Sequence, residues 1–167
     1  LRALNYYYLL DEFGNVPFTT AISSSNPARI ERADLYKWLV DELKTNVEPK
    51  LGEPQPKTSA TAGYGSVDKA AAWMLLARLY LNAEVYTGTA DWANAKLYAK
   101  KVIDSPYKLY TTKKGQWSAY QQLFMGDNGE SGASVEAIFQ SSKMVRQLPH
   151  TVQLFTSWLA QTTTAST

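Results

Sequence analysis

Apolar residues recur at helical spacing in several blocks of this chain, separated by polar stretches rich in proline and glycine. Residues 1–13 read as the end of a helix. Leu1, Leu4 and Tyr8 mark one face, and Ala3, Tyr6, Tyr7, Leu10 and Phe13 extend the apolar surface around the girth. Gly14 is the expected C′ residue, and Pro17 stops any continuation. Residues 15–31, with "SSSNP" at their centre, read as a loop. Asp34 is the expected cap of a second helix over 35–48. Its stripe is Leu35, Trp38, Leu39, Leu43 and Val47, and Pro49 ends it.

The stretch "GEPQPKTSATAGYG" reads as a long linker. Ser66 is the expected N-cap of the strongest helix, 67–86, in which "AAAWMLLARLYL" is rich in strong helix formers; Gly88 closes it. Asp91 caps the next, 92–104, with Trp92, Ala95, Ala99, Val102 and Ile103 inward and Pro106 beyond its end. A short helix is expected at 117–125, because Trp117, Tyr120, Leu123 and Phe124 share a face. "GDNGESG" is a loop, and "VEAIF" at 135–139 alternates like an extended segment. In 140–167, "TVQLFTSWL" fits helix or strand, and "QTTTAST" is a low-complexity, frayed end.

The most specific pattern lies at 73–106. Trp73, Leu76, Ala77 and Tyr80 occupy the W-x2-L-G-x2-Y places of a tetratricopeptide repeat, with alanine standing for glycine. A small residue at 77 lets a partner helix approach, and Ala95 and Ala99 answer it from the other side. The turn "EVYTGTAD" is longer than the repeat norm of about 34 residues allows. Residues 1–13 and 35–47 would form a preceding pair. The fold class read from the chain is therefore all-α: tetratricopeptide-like α/α superhelical repeats, about two helix pairs, with irregular loops. Successive residues of a helix point about 100° apart, so Tyr6, Tyr7 and Tyr8 would meet three different neighbours. Packing is preferred over a ligand-stacking platform because their flanks are equally apolar. Two repeats are few for a solenoid, which predicts marginal stability or self-association through uncovered aromatic surface.

Several stretches are similar to the SusD/RagB family of cell-surface glycan-binding lipoproteins of Bacteroidetes. They are "FGNVPF" after a tyrosine-rich helix, "LLARLYLNAEVYTG" followed by "DWANAKLYAKKVIDSPYKL", and "LFMGDN" followed by "VEAIF". Order and approximate spacing agree across residues 1–139. The resemblance implies a protein held on the outer membrane by a lipidated cysteine. Such a protein binds a starch- or maltooligosaccharide-type glycan and hands it to a SusC-like TonB-dependent transporter. The family's glycan-contacting aromatics usually come from loops outside the matched segment, so the resemblance transfers no ligand-binding residue. The chain opens at Leu1 in mid-pattern, and its true start, with anchor and signal peptide, is expected upstream. Residues 140–167 depart from the family. Codons compatible with Phe139 to Pro149, read one base earlier, can encode Pro-Ile-Phe-Lys-Asp-Gly, which is similar to the family's continuation. The expectation is an SusD-like partial domain at 1–139 and an out-of-frame tail at 140–167.

Composition narrows the alternatives. The net charge of +2 gives little reason to expect nucleic acid as a partner. Cysteine is absent, which removes disulfides and thiolate chemistry from this chain. No apolar run is long enough to span a bilayer. His150 is the single histidine and reads as solvated rather than as part of a triad or zinc site. Asp127, Glu130 and Glu136 are loop carboxylates of the kind glycoside hydrolysis needs in pairs, but isolated loop acids are usually just solvated. No enzyme, metal site or cofactor is expected. Trp117 and Tyr120 have faces suited to sugar C–H groups, yet their spacing with Leu123 and Phe124 favours core packing. Lys96, Lys100 and Lys101 read as a solvated face. The alternative function is a tetratricopeptide-like protein–protein adaptor.

Overall fold

The structure, a computed structural model, describes residues 1–22 and 24–139. His150 and the expectations for 140–167 lie outside these residues.

Helix α1, Arg2–Phe13, ends where Gly14 takes a positive φ of 72° and returns its N–H to the Leu10 carbonyl. A two-stranded antiparallel ribbon follows, β1 (Val16–Pro17) against β2 (Arg29–Ile30). This corrects the reading of 15–31 as loop alone. Strands of two residues leave no alternation to detect.

Helix α2, Arg32–Asp41, starts three residues earlier than expected. Its N-cap is Glu31, and Asp34 sits in the first turn. The helix then widens into a π turn, Glu42–Val47, and tightens into a 3-10 turn, Glu48–Lys50. Pro49 is the cause at the far end, since it has no N–H to return to Thr45. At the near end the Thr45 hydroxyl donates to the Asp41 carbonyl at 2.7 Å.

The expected helix 67–86 is two helices, α3 (Lys69–Leu81) and α4 (Ala83–Thr87), broken at Asn82. The cap is Asp68, whose carboxylate accepts from Ala70 N–H, and not Ser66, whose hydroxyl donates to the Gly63 carbonyl. Gly88, at φ 79°, closes α4 as anticipated. Helix α5, Trp92–Ile103, is capped by Asp91 as expected. Its inward face is Ala95, Tyr98 and Val102, with Ala99 packed beside them. Trp92 and Ile103, expected inward, are exposed. Helix α6 is only Ala119–Gln122, and a 3-10 turn, Ala133–Glu136, stands where an extended segment was expected. That turn begins at Gly132, whose φ of 85° reverses the chain.

The helices pair twice. In the first pair, Tyr6 meets Trp38 and Arg2 meets Glu42, so α1 and the α2 rod run antiparallel. In the second, Tyr80 stacks on Tyr98 at 5.6 Å while Trp73 lies beside Lys101, so α3 and α5 also run antiparallel. Leu10, Leu35, Leu39, Leu43, Leu76 and Leu79 form the fully buried centre, continuous through both pairs. The fold is all-α with tetratricopeptide-like pairing, and its strands are a minor ornament.

The three tyrosines do meet three environments. Tyr7 is buried in the core. Tyr6 packs on Phe18 and Trp38 and exchanges hydrogen bonds with the Thr19 backbone at 2.8 Å. Tyr8 is half exposed.

Candidate functional site

Beyond the helix pairs, residues 107–136 fold back as a short lobe, and its outer edge carries exposed aromatic residues. The reason is the small helix α6. Ser118 and Gln121 form a reciprocal capping box that fixes its start. Gln122 is its buried residue, 1% exposed, and its amide donates to the Thr112 carbonyl at 2.8 Å. Positions two apart on a helix point about 200° from each other. Burying Gln122 therefore turns Tyr120 and Phe124 outward on the opposite side.

Tyr120 is 70% exposed and Phe124 73%, with ring centroids 5.1 Å apart in an edge-to-face arrangement. Trp117, just before the cap Ser118, is 43% exposed. A backbone bridge with Lys114 holds it, N–H to carbonyl in both directions, at 3.1 and 3.2 Å. Lys114 and Asp127, 3.9 Å apart, flank the edge. The expectation that Trp117, Tyr120 and Phe124 pack in a core is thus overturned; only Leu123 is partly covered. Helical spacing identifies a shared face but not whether protein or solvent lies against it.

The remaining candidates are placed as follows. Glu136 accepts from Tyr110 N–H at 2.7 Å and serves the lobe's own backbone. Asp127 faces Lys114, and Glu130 is exposed. Among the described residues no group of three or more His, Cys, Asp or Glu side chains is arranged to hold a metal ion. Lys96 is exposed, and Lys100 pairs with Asp104 across one helical turn. Lys101 departs from the solvated-face reading. It pairs with Glu48 and lies over the rings of Tyr98 and Trp73, at 4.6 and 5.4 Å from their centroids. Trp73 donates its indole N–H to the same Glu48, which ties the two helix pairs together.

Burial perturbs several tyrosines of the interior. Burial pushes the Tyr80 hydroxyl up to about 12. Tyr86 is raised further by burial and by its 2.6 Å hydrogen bond to Asp11, and Tyr107 by burial and its bond to Asp68. A second feature is an apolar groove of about 620 Å³ between α1, the π turn, α3 and residues 136–139, with Leu4, Tyr8, Leu43, Met74 and Phe139 among its walls.

Gln122 and Asp68 are not marked by hydrophobic periodicity. The Ser-x-x-Gln box before a polar helix was a legible signal for the first, and an aspartate directly before "KAAA" for the second.

Compared with known proteins, the chain matches no family model. It is 44% identical, over 138 residues and 83% of its length, to the starch-binding protein SusD of Bacteroides thetaiotaomicron. The chain is SusD-like. Its fold also superposes on the surface glycan-binding protein A from Bacteroides uniformis with a TM-score of 0.54 and 27% identity, over 77% of the chain. This SusD-like chain spans 23% of the length of the first relative and 26% of the second.

Proposed function

We propose that this SusD-like chain belongs to a glycan-binding protein of the outer-membrane surface that captures starch-type oligosaccharides without cleaving them. The observation that carries the reading is the exposed ring pair of Tyr120 and Phe124, with Trp117 also exposed just before the start of α6. An aromatic face offers an apolar platform with a fixed orientation, and exposed aromatics clustered together mark interaction sites. The two relatives, one named for starch binding and the other for surface glycan binding, favour sugar as the occupant. Capture is followed by delivery to a SusC-like TonB-dependent transporter from a protein held at the membrane by a lipid anchor. Residues 1–139 supply the family segment, and 140–167 are a divergent tail created by a frame slip. Sequencing the gene in the adjacent frame tests that last point.

Binding rather than turnover is supported by the engagement of Glu136 with backbone and of Asp127 with Lys114. Affinity electrophoresis in amylopectin tests the capture. Migration of the chain is retarded by the polymer, and the Trp117→Ala/Tyr120→Ala/Phe124→Ala variant runs as if no polymer were present. Equal retardation of both removes the edge from the reading. A protein–protein adaptor is the second reading, favoured by the apolar groove beside Tyr8 and Met74.

A further inference from the structure

We infer that Asp68, far along the chain from the aromatic edge, is the residue that positions it; the functional part of this inference rests on the glycan reading above. Asp68 is buried, 3% exposed. Its two carboxylate oxygens divide their partners. Oδ1 accepts from Ala70 N–H at 3.0 Å and caps α3. Oδ2 gathers three donors from outside the helix: Gln55 N–H at 3.0 Å, Lys57 Nζ at 3.2 Å and Tyr107 Oη at 2.8 Å.

Two of those donors, Lys57 and Tyr107, lead toward the edge. The Lys57 carbonyl accepts from Ser134 Oγ at 3.1 Å, Ser134 N–H donates to the Asn128 carbonyl at 3.0 Å, and Asn128 Nδ2 donates to the Leu123 carbonyl at 2.8 Å. That last bond lands beside Phe124. From Tyr107 the chain runs three residues to Tyr110, fixed by Glu136, and then to Thr112, which accepts from the Gln122 anchor. Both backbone runs that hold α6 thus converge on one carboxylate seated at the start of α3. The long linker 52–65, rich in glycine and proline, is fastened by the same group. A buried charge with four donors is well satisfied, and no buried side-chain polar atom among the described residues lacks a partner. Removing one acceptor oxygen leaves the lobe without its common fastening.

Asp68→Asn is the informative variant because its amide keeps a single acceptor oxygen. With that oxygen toward Ala70 the cap survives, and an N–H₂ group faces three donors. Hydrogen exchange, read segment by segment, tests the idea on the whole chain. The expected result is exchange roughly tenfold faster in 107–112 and 120–134, with α3 and α5 unchanged. Tyr107→Phe, which keeps the carboxylate and removes one donor, gives the same local pattern more weakly and serves if Asp68→Asn fails to fold. Loss of protection confined to 69–75, with 120–134 unaffected, overturns the inference by reducing Asp68 to a helix cap. Maltoheptaose titration is the second readout. Local loosening with weakened binding supports the positioning role. Local loosening in a chain whose parent binds no maltoheptaose sinks the glycan reading and leaves the structural coupling standing. Local loosening with unchanged affinity overturns the functional part.

Discussion

Substituting Ala95 by leucine probes the seam on which the helical scaffold rests. Ala95 is 8% exposed on the inner face of α5, in the same buried cluster as Ala77 of α3, and one turn before the Tyr98 ring that stacks on Tyr80. Leucine adds three carbons where the helices approach closely. Such overpacking forces off-rotamer side chains or a shift of the backbone, at a cost of about 1–3 kcal/mol. For a chain of this size each kcal/mol lowers Tm by about 2–4 °C, so a drop of roughly 2–12 °C is expected. Ala93→Leu is the control. It lies on the exposed side of the same helix and carries the same change in helix propensity. Surface changes of this kind stay within about 0.5 kcal/mol. Thermal and urea unfolding followed by far-ultraviolet circular dichroism compares the two, with near-ultraviolet spectra reporting the Tyr80–Tyr98 stack. Superimposable melts for the two variants would refute close nesting of α3 and α5.

Burial raises the hydroxyls of Tyr80, Tyr86 and Tyr107, so the folded state holds these protons more tightly than the unfolded one. Their contribution to stability is full below about pH 10, the unfolded value, and is lost as pH rises through the folded values. Absorbance at 295 nm is expected to show a late tyrosine step coincident with unfolding; a step well separated from unfolding contradicts it. Gly14→Ala places a β-carbon on a residue with φ +72°, 3.3 Å from Arg32 Cδ, and is expected to cost about 1–2 kcal/mol in urea unfolding. The groove lined by Tyr8 and Met74 leaves apolar surface uncovered. Concentration-dependent mass in light scattering is expected, reduced by Tyr8→Lys; a strict monomer at high concentration, with a sharp high-temperature melt, argues against it.

The two helix pairs were legible because small residues at 77, 95 and 99 and leucines at 35, 39, 43 and 76 repeat at helical spacing, and burial follows that spacing. The ends of elements were less legible. Ser66 and Asp68 are both competent caps, and only the donors at Gln55, Lys57 and Tyr107 select the second. The edge was less legible for a different reason. Trp117, Tyr120, Leu123 and Phe124 mark a face as clearly as any core stripe does. What faces solvent was decided by Gln122, whose amide finds partners inside the lobe at Thr112 and Ser118. A polar residue that wins the interior through hydrogen bonds leaves no trace in hydrophobic periodicity.

Isothermal titration of maltoheptaose into the chain and into its Tyr120→Ala/Phe124→Ala variant, with Tyr8→Ala as a control in the apolar groove, tests the functional account most directly. Saturable binding is predicted for the parent and the control, and its loss for the edge variant. Equal heats for the parent and the edge variant, or loss of binding in the control alone, would contradict it.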